Sequence, residues 1–286
     1  MKALLLLFLI GAYTIDHAQL LTNVPAAFAA LNSDKPAVRY FTNRHYATPA
    51  GGHLQGIQAT SNGGWLITAS SSSYSYYLHV TADTLQSLTK LYDTPYRHAG
   101  GCQLAGGKLY TGIEDNVARD KAKVVAVAEN GSLAVIAIRN GTYKRSTAGA
   151  TGAVFVNGKC IVAVADWDSR NIDFYRVDAA GYDSVGTFSA GNAVKWGSYQ
   201  SINLLADTAG NMFLVGFCKD GTSNRADLFA IDNNYQISII SSRAFTCKRG
   251  CSFRYAAGLS VNNNTLSIYT AQRVLKRRNA VNVFSK

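Results

Sequence analysis

Residues 53–83, HLQGIQATSNGGWLITASSSSYSYYLHVTAD, and residues 98–130, HAGGCQLAGGKLYTGIEDNVARDKAKVVAVAEN, can be laid one over the other. Each opens on histidine and a short strand, turns on a Gly pair or Asn-Gly, and continues through an apolar run into a segment that ends at or beside an acid, Asp83 or Glu129. The same plan returns in the segments that begin at Gly149, Tyr199 and Tyr255. A spacing of about 45 to 55 residues is the range of four-stranded propeller blades.

Each unit reads as strands a to d. The a–b turns fall at Asn62-Gly63, Gly106-Gly107, Asn157-Gly158, Ala209-Gly210 and Asn263-Asn264, residues that tolerate the positive φ of tight hairpins. The fifth unit stops at Lys286, after its strand c, while AVRYFTNRHY, residues 37–46, precedes the first unit without a place of its own. Supplying the missing outer strand from this segment closes a ring and removes the open edges. The expectation is therefore an all-β chain, a five-bladed β-propeller of four-stranded antiparallel blades. Residues 37–286 form one domain closed by an N-terminal outer strand that completes the last blade. An open β-solenoid would leave both the spare strand and the vacant place unexplained.

This period and architecture resemble the five-bladed β-propeller superfamily, which includes lectins and several glycoside hydrolases. The likeness covers nearly all of the chain after its first residues, but no Asp-box or Trp-Asp repeat narrows it to one family, and a shared fold does not carry an activity.

Ahead of the repeats, MKALLLLFLIGAYTIDHAQ joins Lys2 to an apolar stretch too short for the about 20 residues of a membrane span. It reads as a secretory signal over residues 1–18, followed by a lead-in at 19–36, so the expected location is extracellular or periplasmic. Nowhere later is a stretch apolar enough to span a membrane. The 286 residues carry a net charge of +11, unevenly placed: from Asn233 to Lys286 there is no Asp or Glu, while nine Lys and Arg fall there. Such a surface suits an acidic partner, although export and the lack of a recognition motif argue against nucleic acid. Among the five cysteines, Cys247 and Cys251 in CKRGC could form a disulfide if the chain turns sharply enough.

In a propeller the d–a and b–c loops share one face, around the channel mouth. That geometry gathers His53, Gln55, His98, Glu114, Asp115, Asp166, Trp167, Asp168, Tyr199, Tyr255 and Arg273 as candidate ligand-binding residues. Aromatic faces beside hydrogen-bonding groups suit a glycan or protein ligand, so the leading reading is a lectin-like binding protein. The alternative is a carbohydrate-active enzyme using the same mouth. Hydrolysis needs two carboxylates, for which Glu114 and Asp166 are the candidates; elimination from an acidic polysaccharide needs a His or Tyr base and a cation, types that His53, His98, Tyr199, Tyr255, Arg254 and Arg273 supply. No cofactor is expected, and a divalent metal could be held only by the weak set His53, His98 and Glu114.

Overall fold

A computed structural model describes residues 20–286 apart from 129, 180, 194 and 195; the signal-peptide reading lies outside the described residues. The described chain begins with β1 (Leu20–Leu21), helix α1 (Val24–Ala29) and β2 (Ala37–Thr42).

The repeats then follow as expected. β3 (His53–Ala59), β4 (Trp65–Ser70), β5 (Tyr74–Thr81) and β6 (Thr84–Asp93) form the first meander. β7 (His98–Ala105), β8 (Lys108–Glu114), β9 (Lys121–Ala128) and β10 (Leu133–Asn140) form the second. The third is β11 (Ala150–Val156), β12 (Lys159–Ala165), β13 (Asn171–Asp178) and β14 (Gly181–Ser189). The fourth is β15 (Ser201–Asp207), β16 (Met212–Asp220), β17 (Ser223–Ile231) and β18 (Ile237–Phe245). The last has β19 (Ala257–Asn262), β20 (Thr265–Ala271) and β21 (Arg278–Phe284) from the C-terminal end. Its outer strand is β2, antiparallel to β21 from Ala37 opposite Val283 to Thr42 opposite Arg278. The closing strand stops at Thr42 rather than Tyr46, because the Asn43 side chain folds the next residues into a turn: Tyr46 N–H donates to Asn43 Oδ1, and Asn43 Nδ2 to Tyr46 O.

All five a–b turns carry positive φ, as the residue choice requires: Gly63 at 79°, the Gly106-Gly107 pair at 54° and 72°, Asn157-Gly158 at 50° and 72°, Gly210 at 86°, and Asn263-Asn264 at 48° and 59°. Apolar side chains from facing blades make five separate clusters, one between each neighbouring pair. Phe41 of β2 packs with Trp65 and Leu85 of the first blade, so the closing strand seals a core as well as a ladder.

The lead-in is better anchored than its sequence suggests. Asn23 caps α1, accepting from the Ala26 N–H, and Val24 and Phe28 insert between the fourth and fifth blades. Leu20 and Leu21 pair in parallel with Ala206 and Asp207 of β15. Arg243 reaches back to donate to the carbonyls of Phe28, Ala29 and Leu31, meeting orphan carbonyls at the helix end.

Deeper along the inner strands the axis is closed by three buried amide side chains. Gln103 of β7 accepts the N–H groups of Ala153 and Leu204 on Oε1 and donates to Leu204 O. Gln58 of β3 donates to Cys102 O and Asn203 Oδ1 and accepts from Leu104 N–H. Asn203 of β15 donates to Cys102 O and accepts from Leu259 N–H. Each inner strand would otherwise present an unpaired edge to the axis, and these amides satisfy it.

The Cys247–Cys251 bridge is not formed; all five thiols are free. The Lys248–Cys251 turn, with Arg249 and Gly250 both at positive φ, sends the Cys251 Sγ toward Ala280 O on β21, while Cys247 packs against the cluster between the fourth and fifth blades. Burial pushes both thiols up to about 12.

Candidate functional site

The site begins with two irregularities in the inner strands. In β7 the register passes from Ala99 opposite Ile113 to Cys102 opposite Thr111, so Gly100 and Gly101 oppose Gly112 alone. A Cβ on Gly100 would lie 2.2 Å from Gly149 O, and one on Gly101 2.7 Å from Ser201 Oγ; no side chain fits at either position. In β3 the register passes from Leu54 opposite Ala69 to Gly56 opposite Thr68, leaving Gln55 without a partner residue. Such bulges re-aim side chains.

Here they aim Gln55 at His98. Gln55 Nε2 lies 2.8 Å from His98 Nε2, and the amide can only donate there, so Nε2 accepts and the imidazole proton resides on Nδ1. Nδ1 in turn lies 3.0 Å from Glu114 Oε1, opposite it in register. The approach is close but does not make a hydrogen bond, and among the described residues both atoms are buried without one. Glu114 is fully buried, and its other oxygen accepts the Ala148 N–H at 2.8 Å.

His53 stands beside this pair, its ring centre 5.5 Å from that of His98. Burial above all, then the facing His98, lowers its pKa to about 4; a hydrogen bond to the Gly51 backbone works the other way, and Arg273 adds to the lowering. His53 is therefore neutral at ordinary pH. Trp167 lies on the far side of His98, 5.9 Å between ring centres, under the Arg119 guanidinium at 4.1 Å. It faces His98 and Arg119 of the second blade.

These groups line a cavity of about 370 Å³ at the mouth, together with Tyr199, Tyr255 and Arg273. Tyr199 contributes only an edge: it is buried in the core, and its hydroxyl donates to Asp227 Oδ2 at 2.7 Å. Three of the expected residues do not reach the cavity. Asp115 accepts the N–H groups of Val117 and Ala118 in its own turn. Asp166 does the same for Arg170 and Asn171. Asp168 is paired with Lys144 at 2.8 Å. These acids organise the loops, as short acidic side chains at turns commonly do.

Arg254, a candidate cation, does line the cavity, and Asn116, Ser198 and Gln200 line it unforeseen. Asn116, Ser198 and Gln200 are all immediate sequence neighbours of the expected Asp115 and Tyr199, so the loops were the right ones and the orientation within them was a residue off. Arg97 holds Asn116 in place through its Nε at 3.0 Å.

Two chemistries lose their residues in this geometry. Glu114 is the single carboxylate lining the cavity among the described residues, so the acid and base pair assigned to Glu114 and Asp166 does not assemble. Among the described residues no three His, Cys, Asp or Glu are grouped to hold a metal ion. The set of His53, His98 and Glu114 fails because Gln55 takes His98 Nε2 while Nδ1 faces Glu114 itself.

No protein-family model matches the chain, and no curated protein matches its sequence. Among solved structures it is similar to a GH43 β-1,3-galactosidase bound to galactodeoxynojirimycin, at 8% identity over 87% of this chain and 94% of that one, with a TM-score of 0.51. It is also similar to the GH32 β-fructofuranosidase of Bombyx mori, at 8% identity over 87% and 62% of the two chains and a TM-score of 0.51. A bifunctional GH43-CE protein of Bacteroides eggerthii is matched at 10% identity over 84% of this chain and 33% of that one, again at 0.51. At these identities the likeness establishes the β-propeller fold. No helix among the described residues is long and apolar enough to cross a membrane.

Proposed function

We propose that the protein is an exported, carbohydrate-directed β-propeller whose mouth cavity takes a glycan, with residues 37–286 as the functional unit. The observation that carries this reading is the cavity itself. It sets the faces of Trp167 and Tyr255 beside amides, imidazoles and guanidiniums within about 370 Å³, the mixture of flat apolar and directional polar groups that sugar rings need. That the similar solved structures include a galactosidase and a fructofuranosidase supports the same class of ligand. It does not bring their chemistry with it. Hydrolysis by a pair of carboxylates 5 to 9.5 Å apart has, among the described residues lining the cavity, only Glu114 to work with, and that side chain is fully buried with one oxygen taken by the Ala148 N–H.

A glycan-array screen of the purified protein at low and high salt, run beside Trp167→Ala, tests this. Trp167 belongs to none of the hydrophobic clusters, so its removal should spare the fold and weaken binding by roughly 10-fold or more. Silence across the array, or binding that salt removes and Trp167→Ala retains, would refute the reading.

A further inference from the structure

We propose that the glycan is acidic and that the mouth cleaves it by β-elimination: Arg273 binds the uronate carboxylate, His53 removes the proton from the adjacent carbon, and Tyr255 protonates the departing oxygen. This rests on the saccharide reading and goes beyond it in naming the substrate class and the reaction.

Charge points to the substrate. The cavity holds two arginines, Arg254 and Arg273, against the single carboxylate of Glu114, and both arginines are exposed. Arg273 stacks on Tyr255, its Cζ 6.0 Å from the ring centre, and among the described residues no carboxylate engages either guanidinium. Unpaired guanidinium at the rim of a polar cavity is the arrangement that receives a carboxylate in bidentate fashion. Lys248, Arg249, Lys276 and Arg277 are exposed on the loops of the same blade that end in or contain these arginines, which suits the continuation of a polyanionic chain.

Geometry separates the roles of the two histidines. His98 has Nε2 taken by Gln55 and Nδ1 turned inward to within 3.0 Å of the buried Glu114, and serves as a positioning residue, fixed beside His53. His53 lines the cavity, no side chain among the described residues hydrogen-bonds its ring, and it lies close enough to Arg273 for the guanidinium to disfavour its protonation. A carboxylate arriving on Arg273 would cancel that charge and bring its own, raising the basicity of His53 when the substrate is in place.

The step balances without a co-reactant. The C5–H bond next to the carboxylate breaks and its proton goes to His53. The electron pair forms the C4=C5 double bond, and the C4–O bond breaks. The oxygen leaves with a proton from the Tyr255 hydroxyl, and a proton passes back from His53 to Tyr255 through solvent. The product is an unsaturated uronate conjugated with its own carboxylate, which absorbs in the ultraviolet.

The test incubates the full protein with polygalacturonate, alginate and hyaluronan, and with neutral arabinogalactan and inulin, following ultraviolet absorbance, new reducing ends and binding together. Expected are unsaturated ends from at least one uronate polymer and none from the neutral ones. His53→Gln should lower the rate by about 100-fold or more while leaving binding in place, the scale of a general base. Arg273→Gln, at an exposed position, should weaken uronate binding by about 10-fold or more with an unchanged melting curve. Uronate binding without unsaturated ends would overturn the elimination and leave the saccharide site standing. Binding or cleavage confined to neutral glycans would overturn the acidic substrate class, and no binding to any polymer would remove the saccharide reading as well.

Discussion

Replacing Gln103 by Met should be among the most damaging single substitutions in the molecule, although the position is remote from the mouth loops and the volumes are similar. Gln103 Oε1 accepts from Ala153 N at 2.8 Å and Leu204 N at 2.6 Å, and Nε2 donates to Leu204 O at 2.8 Å. One side chain on the second blade thereby ties the inner strands of the third and fourth. Met fills the space but offers no partner, leaving two N–H groups and one carbonyl buried on strand edges that face the axis. At about 1 to 3 kcal/mol for each buried group left unsatisfied, the loss comes to roughly 3 to 9 kcal/mol. A chain of this size shifts its melting temperature by about 2 to 4 °C per kcal/mol, so even the lower bound predicts a drop of roughly 6 to 12 °C.

Calorimetry and urea unfolding of Gln103→Met measure this, with Gln86→Met on the exposed side of β6 as the control. The control should stay within about 0.5 kcal/mol of the parent. If Gln103→Met melted within about 2 °C of the parent with an unchanged urea slope, the amides would be passengers, and ring stability would have to come from the five apolar clusters alone.

The other expectations concern closure, titration and the thiols. Deleting residues 37–46 removes the outer strand of the fifth blade and Phe41 from its cluster; cooperative unfolding should be lost, and a sharp melting transition in the deletion variant would count against the ring. His53 has its pKa lowered from 6.5 to about 4 on folding, so between those values the unfolded chain binds a proton that the native one does not. Its contribution to stability is complete above pH 6.5 and is lost as pH falls toward 4, and His53→Gln should flatten the acid-side decline in melting temperature. If His53 is the base, the acidic limb of kcat/KM, which reports the free enzyme, should lie near pH 4 and that of kcat higher; coincident limbs near 6.5 would contradict the arrangement with His98 and Arg273. Denatured protein should titrate as five thiols, whereas three would restore the Cys247–Cys251 bridge. In the native state the buried thiols should resist alkylation at neutral pH, since burial raises those of Cys102, Cys218, Cys247 and Cys251 to between about 11 and 12.

The ring was legible because its signals are local and repeated. Asn157-Gly158 or Gly106-Gly107 between two apolar runs dictates a hairpin wherever it occurs, and a spare strand at one end with a vacancy at the other can be matched by counting. The amide plug was not legible, since nothing in the residues around Gln58, Gln103 or Asn203 says that their partners lie on other blades. The mouth stands between these cases. Blade geometry locates the right loops, but whether an acid points inward is decided by its own turn, and at Asp115, Asp166 and Asp168 the backbone N–H groups and Lys144 claimed the carboxylates first.

That competition explains why the site is built on the inner strands rather than on the acidic loops. A loop carboxylate in water has neighbouring amides that will take it, so it becomes scaffolding unless something buried holds it elsewhere. Glu114 escapes because it is the last residue of β8, directly opposite His98 and fully enclosed, with one oxygen fixed by Ala148 of the next blade. The glycines of the neighbouring bulge make this enclosure possible by letting the third blade approach to where a Cβ on Gly100 would meet Gly149 O. The stretch HAGGC thus does two jobs that cannot be separated. Substituting Gly100 by Ala would push the third blade away and loosen the contact that holds Glu114, so it should disturb the mouth as well as the fold, and a Gly100→Ala variant that kept both melting temperature and glycan affinity would break the link between them.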